Sequence, residues 1–528
     1  MNTKTGLSFG ILCNSYHFQQ WQAMAIEKLL AENHRICVLI MPDIKKEEKT
    51  HRFPLLPFST LFFRIYTRIF FQPESKQVKD LKGLLKDVPL IYAQIYREGI
   101  ADYFTDTTIV QIQQCKPDFL LRFGFSIIRG RILDCCPWGV WSFHHDDPSV
   151  YRGVPSNFWE IYHGDIVNGA VLQRLNNSVD QGEILWQAWF PVIHHSWKNN
   201  LDEAYFQSAL WPAQVCRKIT NDQEISQQMP YKKGNLKRIP NNRQLLYFIL
   251  LLLYNRIDYH YRCLFRREMW ISGVRFINRK EINWLPEGGT SEYKADAFVF
   301  KILDQYYVLF EQYDYHHPKG KIMMQKFDQN LDMIGDATVA IEEKGHLAFP
   351  FTFKHQGSVY CCPESSTENI IRLYRFNPEM ECFDFHCTIL EGIAAVDPVI
   401  QYHDGKWWLF FTEKQHSTSV LHIWYSDTPE GPYQPHLLNP VKTDVRSSRP
   451  AGALFSMNGN LFRPTQDCSK YSGHRISINR VNKLSVHSFE EETEDYIGAD
   501  LHNEYKDGIH TWHHFEDVVS FDCKKHGR

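Results

Sequence analysis

From about Trp270 to the carboxy terminus one pattern recurs: an aromatic-rich strand, a tight turn, and a second strand ending in a carboxylate or amide. Its four clearest copies are DAFVFKILDQYYVLFEQ from Asp296, FPFTFKHQGSVYCCPES from Phe349, DPVIQYHDGKWWLFFTE from Asp397 and RPAGALFSMNGNLFRPTQD from Arg449. The turns at Gln305, Gly357, Gly405 and Gly459 lie 52, 48 and 54 residues apart, near the roughly 50-residue blades of some propellers. One such unit cannot bury its apolar face alone, so the copies must pack on one another. A fifth blade can be closed by Trp270–Asn278 pairing with the chain end, which removes the open edges. The reading is an all-β, five-bladed propeller over residues 270–528, and an aromatic content of 14% suits such cores.

The first half has a different texture. Leu7–Asn14 is a short apolar run ending in a polar turn, Gln19–Asn33 has helical periodicity, and Ile36–Ile40 is another β-rich run. Strand, helix, strand, helix and strand then follow at Val88–Gln94, Thr107–Cys115, Phe119–Phe123, Arg129–Cys135 and Gly139–Phe143. Such alternation predicts an α/β domain with a mostly parallel sheet covered on both faces, assigned to residues 1–235. Asn241–Phe265 reads as one long helix, and residues 236–269 as a linking segment.

Two runs, Phe53–Phe71 and Leu245–Tyr254, are strongly apolar. Pro54, Pro57, Arg64 and Arg68 interrupt the first, and the second is about half of the twenty or so residues a membrane span needs. Both read as packing helices, with peripheral membrane contact as the alternative. A formal charge of −3 gives no global attraction for nucleic acid, and the basic patch from Lys232–Lys233 to Lys237–Arg238 is modest. Thirteen cysteines with neither CxxC spacing nor disulfide-scaffold density, and no cleavable apolar leader, point to the cytoplasm and against structural zinc.

The chemistry concentrates in SFHHDDPSVYRGVPSNFWEIYHGDIVNGAVLQRLNNSVDQGEIL, Ser142 to Leu185, directly after a predicted strand. Its histidine, Arg-Gly pair, spaced glycines and Asp-x-Gly resemble the folate-dependent formyltransferases, whose pattern runs Asn-x-His, Arg-Gly, a Gly-spaced turn and Asp-x-Gly. His144 falls on the family's catalytic histidine, Arg152-Gly153 on its Arg-Gly, Gly164 and Gly169 on its glycines, and Asp180-Gln181-Gly182 on its Asp-x-Gly. Ser142 stands where the family has asparagine. The likeness covers roughly Leu7 to Val192 and implies a Rossmann-like catalytic domain.

The resemblance implies transfer of a formyl group from 10-formyltetrahydrofolate to an amine. His144 would take the amine proton, Asp180 would orient and stabilise the imidazolium, and Ser142 would donate to the developing oxyanion. The pterin would lie against the segment from Leu121 to Leu133, with Phe125, Ile127, Ile128 and Gly182 beside the folate and Arg152 toward the acceptor. No metal is required. The carboxy-terminal repeats resemble propellers of glycoside hydrolases and of plant glucosamine inositolphosphorylceramide transferases. That likeness implies a glycan site in which Asp296, Asp397 and Arg449 hold an amino sugar or its nucleotide or lipid conjugate. Two other activities fit the same residues: hydrolysis of formyltetrahydrofolate, and carbohydrate binding without catalysis.

Overall fold

A computed structural model describes residues 6–43, 58–177, 182–223, 225 and 234–527, and divides the chain into two compact units, Met1–His260 and Tyr261–Arg528.

The first unit is built on a seven-stranded sheet. Its strands are β1 (Ser8–Leu12), β2 (Arg35–Pro42), β3 (Leu90–Ala93), β4 (Phe119–Arg122), β5 (Val140–His144), β6 (Val167–Arg174) and β7 (Glu183–Pro191), in the order β7-β6-β5-β4-β1-β2-β3. Strands β1 to β5 run parallel to their neighbours, whereas β6 and β7 are antiparallel additions. The parallel strands are nearly continuous apolar runs because helices cover both faces. On one face Phe9 stacks on Phe119 at 5.4 Å between ring centroids, and Phe119 on Trp141 at 3.8 Å, which ties three adjacent strands together. Helices α1 (Gln20–Ala31) and α3 (Asp106–Gln114) stand where the periodicity places them. Between β4 and β5 the expected helix is only a 3-10 turn, Arg131–Asp134; Gly130, at φ 81°, starts it and Pro137 follows closely. Helices α2 (Leu61–Ile69), α4 (Trp159–His163), α5 (Trp197–Ser208), α6 (Trp211–Thr220) and α7 (Asn242–Phe265) also belong to the unit, α7 running past its end. Of the apolar run Phe53–Phe71, residues 53–57 lie outside the described residues, as do Lys232 and Lys233.

The second unit contains five antiparallel sheets. Strand β8 (Arg267–Phe276) pairs along its full length with the last strand, β14 (Val518–Gly527), so the two ends of the unit complete one blade together. The inner strands of the successive blades are β9 (Glu292–Ile302), β10 (Ala348–His355), β11 (Ala395–His403), β12 (Phe455–Met457) and β13 (Trp512–Phe515). Three of them share a local irregularity. Asp296, Phe349 and Asp397 adopt φ of 56°, 44° and 51°, each at a break in strand register. This left-handed geometry is strained for any side chain, most of all for phenylalanine, and marks a bulge that these three blades share. The bulge turns a backbone N–H toward a neighbouring carboxylate. Asp296 donates to Asp522 Oδ2 at 3.0 Å, Phe349 to Asp296 Oδ2 at 3.1 Å, and Asp397 to Glu364 Oε2 at 3.1 Å. The carboxylates foreseen at strand ends therefore stitch blade to blade.

Candidate functional site

In the first unit the motif residues gather at the carboxyl end of β5, in the middle of the sheet, where open α/β sheets place their ligands. His144 is the last residue of β5 and is half-buried. Its Nε2 lies 3.4 Å from the carbonyl of Tyr151. A carbonyl only accepts, so in this arrangement Nε2 carries the proton and Nδ1 is the basic nitrogen.

Ser142, two residues earlier and on the same face of the strand, is 3% exposed. Its Oγ accepts from Arg122 at 3.0 Å. Register explains the meeting: Val140 and Trp141 pair with Leu120 and Leu121, which brings Arg122 level with Ser142. The guanidinium also donates to the carbonyl of Ser126 at 2.6 Å, while its Nε is buried without a partner. Burial lowers the arginine's pKa, which the Asp102 carboxylate partly offsets.

The loop after His144 is held from beneath. His145 and Asp146 are 6% and 4% exposed and point into the unit. His145 stacks on Tyr205 at 3.6 Å and faces Ser208 Oγ at 3.0 Å. Ser208 spends its hydrogen on the Tyr205 carbonyl, so the imidazole is the donor. Burial holds His145 neutral, well below the usual histidine pKa, with His144 and Lys76 adding to the effect. Asp146 accepts from Asn157 N at 2.8 Å and shares a hydrogen bond with Glu160. Burial, then mutual repulsion, raises Asp146 well above the usual range, and burial pushes Glu160 up to about 7, so the pair keeps a proton. Asp147 caps its own turn through Ser149 N at 2.8 Å.

The other predicted residues fall around this point. Arg152 lies in the short strand Tyr151–Gly153, which pairs with Asn235–Lys237, and its Nε donates to the Gly234 carbonyl at 3.0 Å. Gly153 is required there, since a Cβ would stand 2.1 Å from the Lys237 carbonyl oxygen. Phe125, at φ 65°, and Ile127 are half-buried, whereas Ile128 is core at 3% exposure. Gly182 permits the tight approach of β7 to Arg174, whose carbonyl a Cβ would meet at 2.3 Å. Asp180 lies outside the described residues. A cavity of about 530 Å³ opens nearby, lined by Phe71, Lys76, Pro155, Ser156, Trp197 and Leu201 among others. Lys76 is the sole charged side chain of that lining, and sequence reasoning passed over both residue and cavity because their walls come from distant segments.

In the second unit Asp296, Asp397 and Arg449 are brought together with residues from all five blades. Arg449 Nε and Gln466 Nε2 each donate to Asp397 Oδ2 at 2.6 Å. His510 Nδ1 lies 2.5 Å from Asp522, its Nε2 3.5 Å from Asp296. Burial opposes charging His510, but the two aspartates outweigh it and raise its pKa; the imidazolium thereby balances both carboxylates. Burial raises three of the carboxyls: Asp296 up to about 6, with His510 opposing the rise, Glu364 up to about 8 with Asp397 adding, and Glu311 well above the usual range with its neighbouring carboxylates adding. Glu311 Oε1 and Gln466 Oε1 are buried with no hydrogen-bond partner. Trp407 and Trp408, 6% and 2% exposed, are blade core.

Residues 284–522 match the family model described as glucosamine inositolphosphorylceramide transferase 1, N-terminal. Over 215 residues the chain is 31% identical to glucosamine inositolphosphorylceramide transferase 1 of Oryza sativa subsp. japonica, covering 39% of this chain and 28% of that protein. A shorter stretch of 85 residues is 32% identical to methionyl-tRNA formyltransferase of Borrelia turicatae (strain 91E135), 16% of this chain and 28% of that one. The chain thus spans less than a third of either relative's length. Among solved structures, a family 117 glycoside hydrolase from Zobellia galactanivorans aligns over 48% of this chain and 90% of its own, with a TM-score of 0.33 and 14% identity.

Proposed function

We infer that the chain is a two-part N-formyltransferase: the first unit moves a formyl group from 10-formyltetrahydrofolate to the amine of an amino sugar, and the second holds the remainder of a nucleotide- or lipid-linked acceptor. The observation that carries this reading is His144 at the carboxyl end of β5, with a buried, neutral His145 behind it and the Arg122–Ser142 pair at the same level. The partial identity to a formyltransferase supports the chemistry, and the match of residues 284–522 to a glucosamine inositolphosphorylceramide transferase domain supports a sugar-bearing acceptor.

In the reaction the neutral amine nitrogen attacks the formyl carbon, the carbon–N10 bond breaks, and the amine proton passes through His144 to the departing folate nitrogen. Electrostatic support for the oxyanion comes from the Arg122–Ser142 pair, in which a charged donor backs a short hydroxyl. Asp180 would stabilise the imidazolium, as the motif implies. The donor's ring would lie against the segment from Phe123 to Ile128, where Phe125 and Ile127 offer half-buried apolar surface. In the second unit, Gln466 Oε1, which has no hydrogen-bond partner, and the Asp397–Arg449 pair would meet sugar hydroxyls and the amine.

Incubating the full chain with 10-formyltetrahydrofolate and a panel of free, nucleotide-linked and lipid-linked amino sugars, with mass spectrometry of the acceptors, tests the reading. A formylated amino sugar is the expected product. Formate release equal with and without amine would make the enzyme a hydrolase, and folate turnover absent throughout would leave a glycan-binding protein.

A further inference from the structure

The outer faces of α2 and α7 carry more apolar surface than the fold uses. Their inner faces are satisfied: Phe63 from α2, and Leu245 and Phe248 from α7, join a core cluster with Phe158 and Trp197, Phe248 stacking on Phe158 at 4.0 Å. The amino-terminal ends are tied side by side, since Asn242 Oδ1 accepts from Phe62 N at 3.1 Å and Asn242 Nδ2 donates to the Phe58 carbonyl at 2.8 Å. On the opposite side Phe62, Ile65 and Ile69 follow one helical stripe, and Leu250, Leu253 and Ile257 another, all between 44% and 70% exposed. Such a contiguous apolar face marks an interaction site.

We propose that this paired face docks the protein on a lipid bilayer containing anionic lipid, with both helices lying in the interfacial plane. Charge selects that occupant. Residues 58–70 and 242–258 contain four arginines, Arg64, Arg68, Arg243 and Arg256, against a single carboxylate, Asp258, although the chain as a whole has a formal charge of −3. Interfacial helices combine an apolar stripe with flanking cations that meet lipid phosphates. A second copy of the chain would bring the same four arginines against themselves across a two-fold contact. No helix among the described residues is long and apolar enough to cross a membrane. The proposal stands apart from the formyl chemistry and needs no donor or acceptor for its test.

The experiment sediments the full chain with phosphatidylcholine vesicles, with and without phosphatidylserine. Binding is expected to both, stronger to the anionic vesicles and weakened by salt. The triple variant Ile65→Glu, Leu250→Glu, Leu253→Glu should lose at least about a hundredfold in partitioning. The pair Arg68→Gln, Arg243→Gln should lose about tenfold on anionic vesicles alone. Hydrogen exchange of the unaltered chain should show residues 58–70 and 242–257 newly protected by vesicles, which decides the matter even if the triple variant misfolds. Wild-type protein that binds neither vesicle, or gains no protection in these segments, overturns the proposal. A lipid-free dimer that the triple variant abolishes would instead assign the face to a second copy.

Discussion

Replacing Ser142 by asparagine, the formyltransferase family's residue at that position, should fail alone and succeed in company. Ser142 is 3% exposed, and its Oγ already sits 3.0 Å from the Arg122 guanidinium. Asparagine adds heavy atoms to a filled site, an overpacking cost of about 1–3 kcal/mol. Arg122→Ala removes charged hydrogen bonds to Ser142 Oγ and the Ser126 carbonyl, each on the scale of about 1.5–3 kcal/mol. Were the sites independent, the double variant would be destabilised by the sum. Instead the asparagine amide would occupy the space the guanidinium vacates, and a favourable coupling of about 2 kcal/mol is expected. Guanidinium unfolding of the first unit and kcat/KM for formyl transfer measure the cycle together. The double variant should lose less than the sum of the two single variants in each, by about that coupling. Additive losses, or a fully active Ser142→Asn, would refute the idea that Arg122 and Ser142 together replace the asparagine.

His144→Ala and Asp180→Ala should each lower formyl transfer by about a hundredfold or more while circular dichroism stays unchanged; near-normal turnover in His144→Ala sinks the mechanism. Glu364 is pushed up to about 8 from 4.5 by burial, then by Asp397, so the folded state binds its proton more tightly than the unfolded chain. Its contribution to stability is complete below about 4.5 and falls as pH rises toward about 8, and Glu364→Gln should flatten that slope in thermal melts across this window. Arg463 and Glu491, each 1% exposed and joined at 2.5 Å, form a buried ion pair in which Lys442 also takes part; Glu491→Gln should destabilise the second unit by about 3–5 kcal/mol, read from its unfolding transition.

Local periodicity determined much of this protein. Strand and helix alternation at Leu7–Phe143 placed β1 to β5, because buried parallel strands are written as apolar runs and their helices as stripes. The recurring turns at Gln305, Gly357, Gly405 and Gly459 placed the hairpins, and pairing of the segment from Trp270 with the chain end was legible because an unclosed sheet leaves edges. Motif spacing singled out His144, which ends β5. Tertiary structure decided what each polar residue faces. Arg122 reaches Ser142 only because adjacent parallel strands bring residues 20 apart in sequence level with each other. His145 and Asp146 turn inward beside His144, a choice that side-chain type cannot announce. Asp296 and Asp522, separated by 226 residues, meet across a blade boundary where a strained bulge aims one backbone N–H. The same limit governs α2 and α7: sequence shows that both faces are apolar, and only packing decides which face the core covers and which it leaves to solvent.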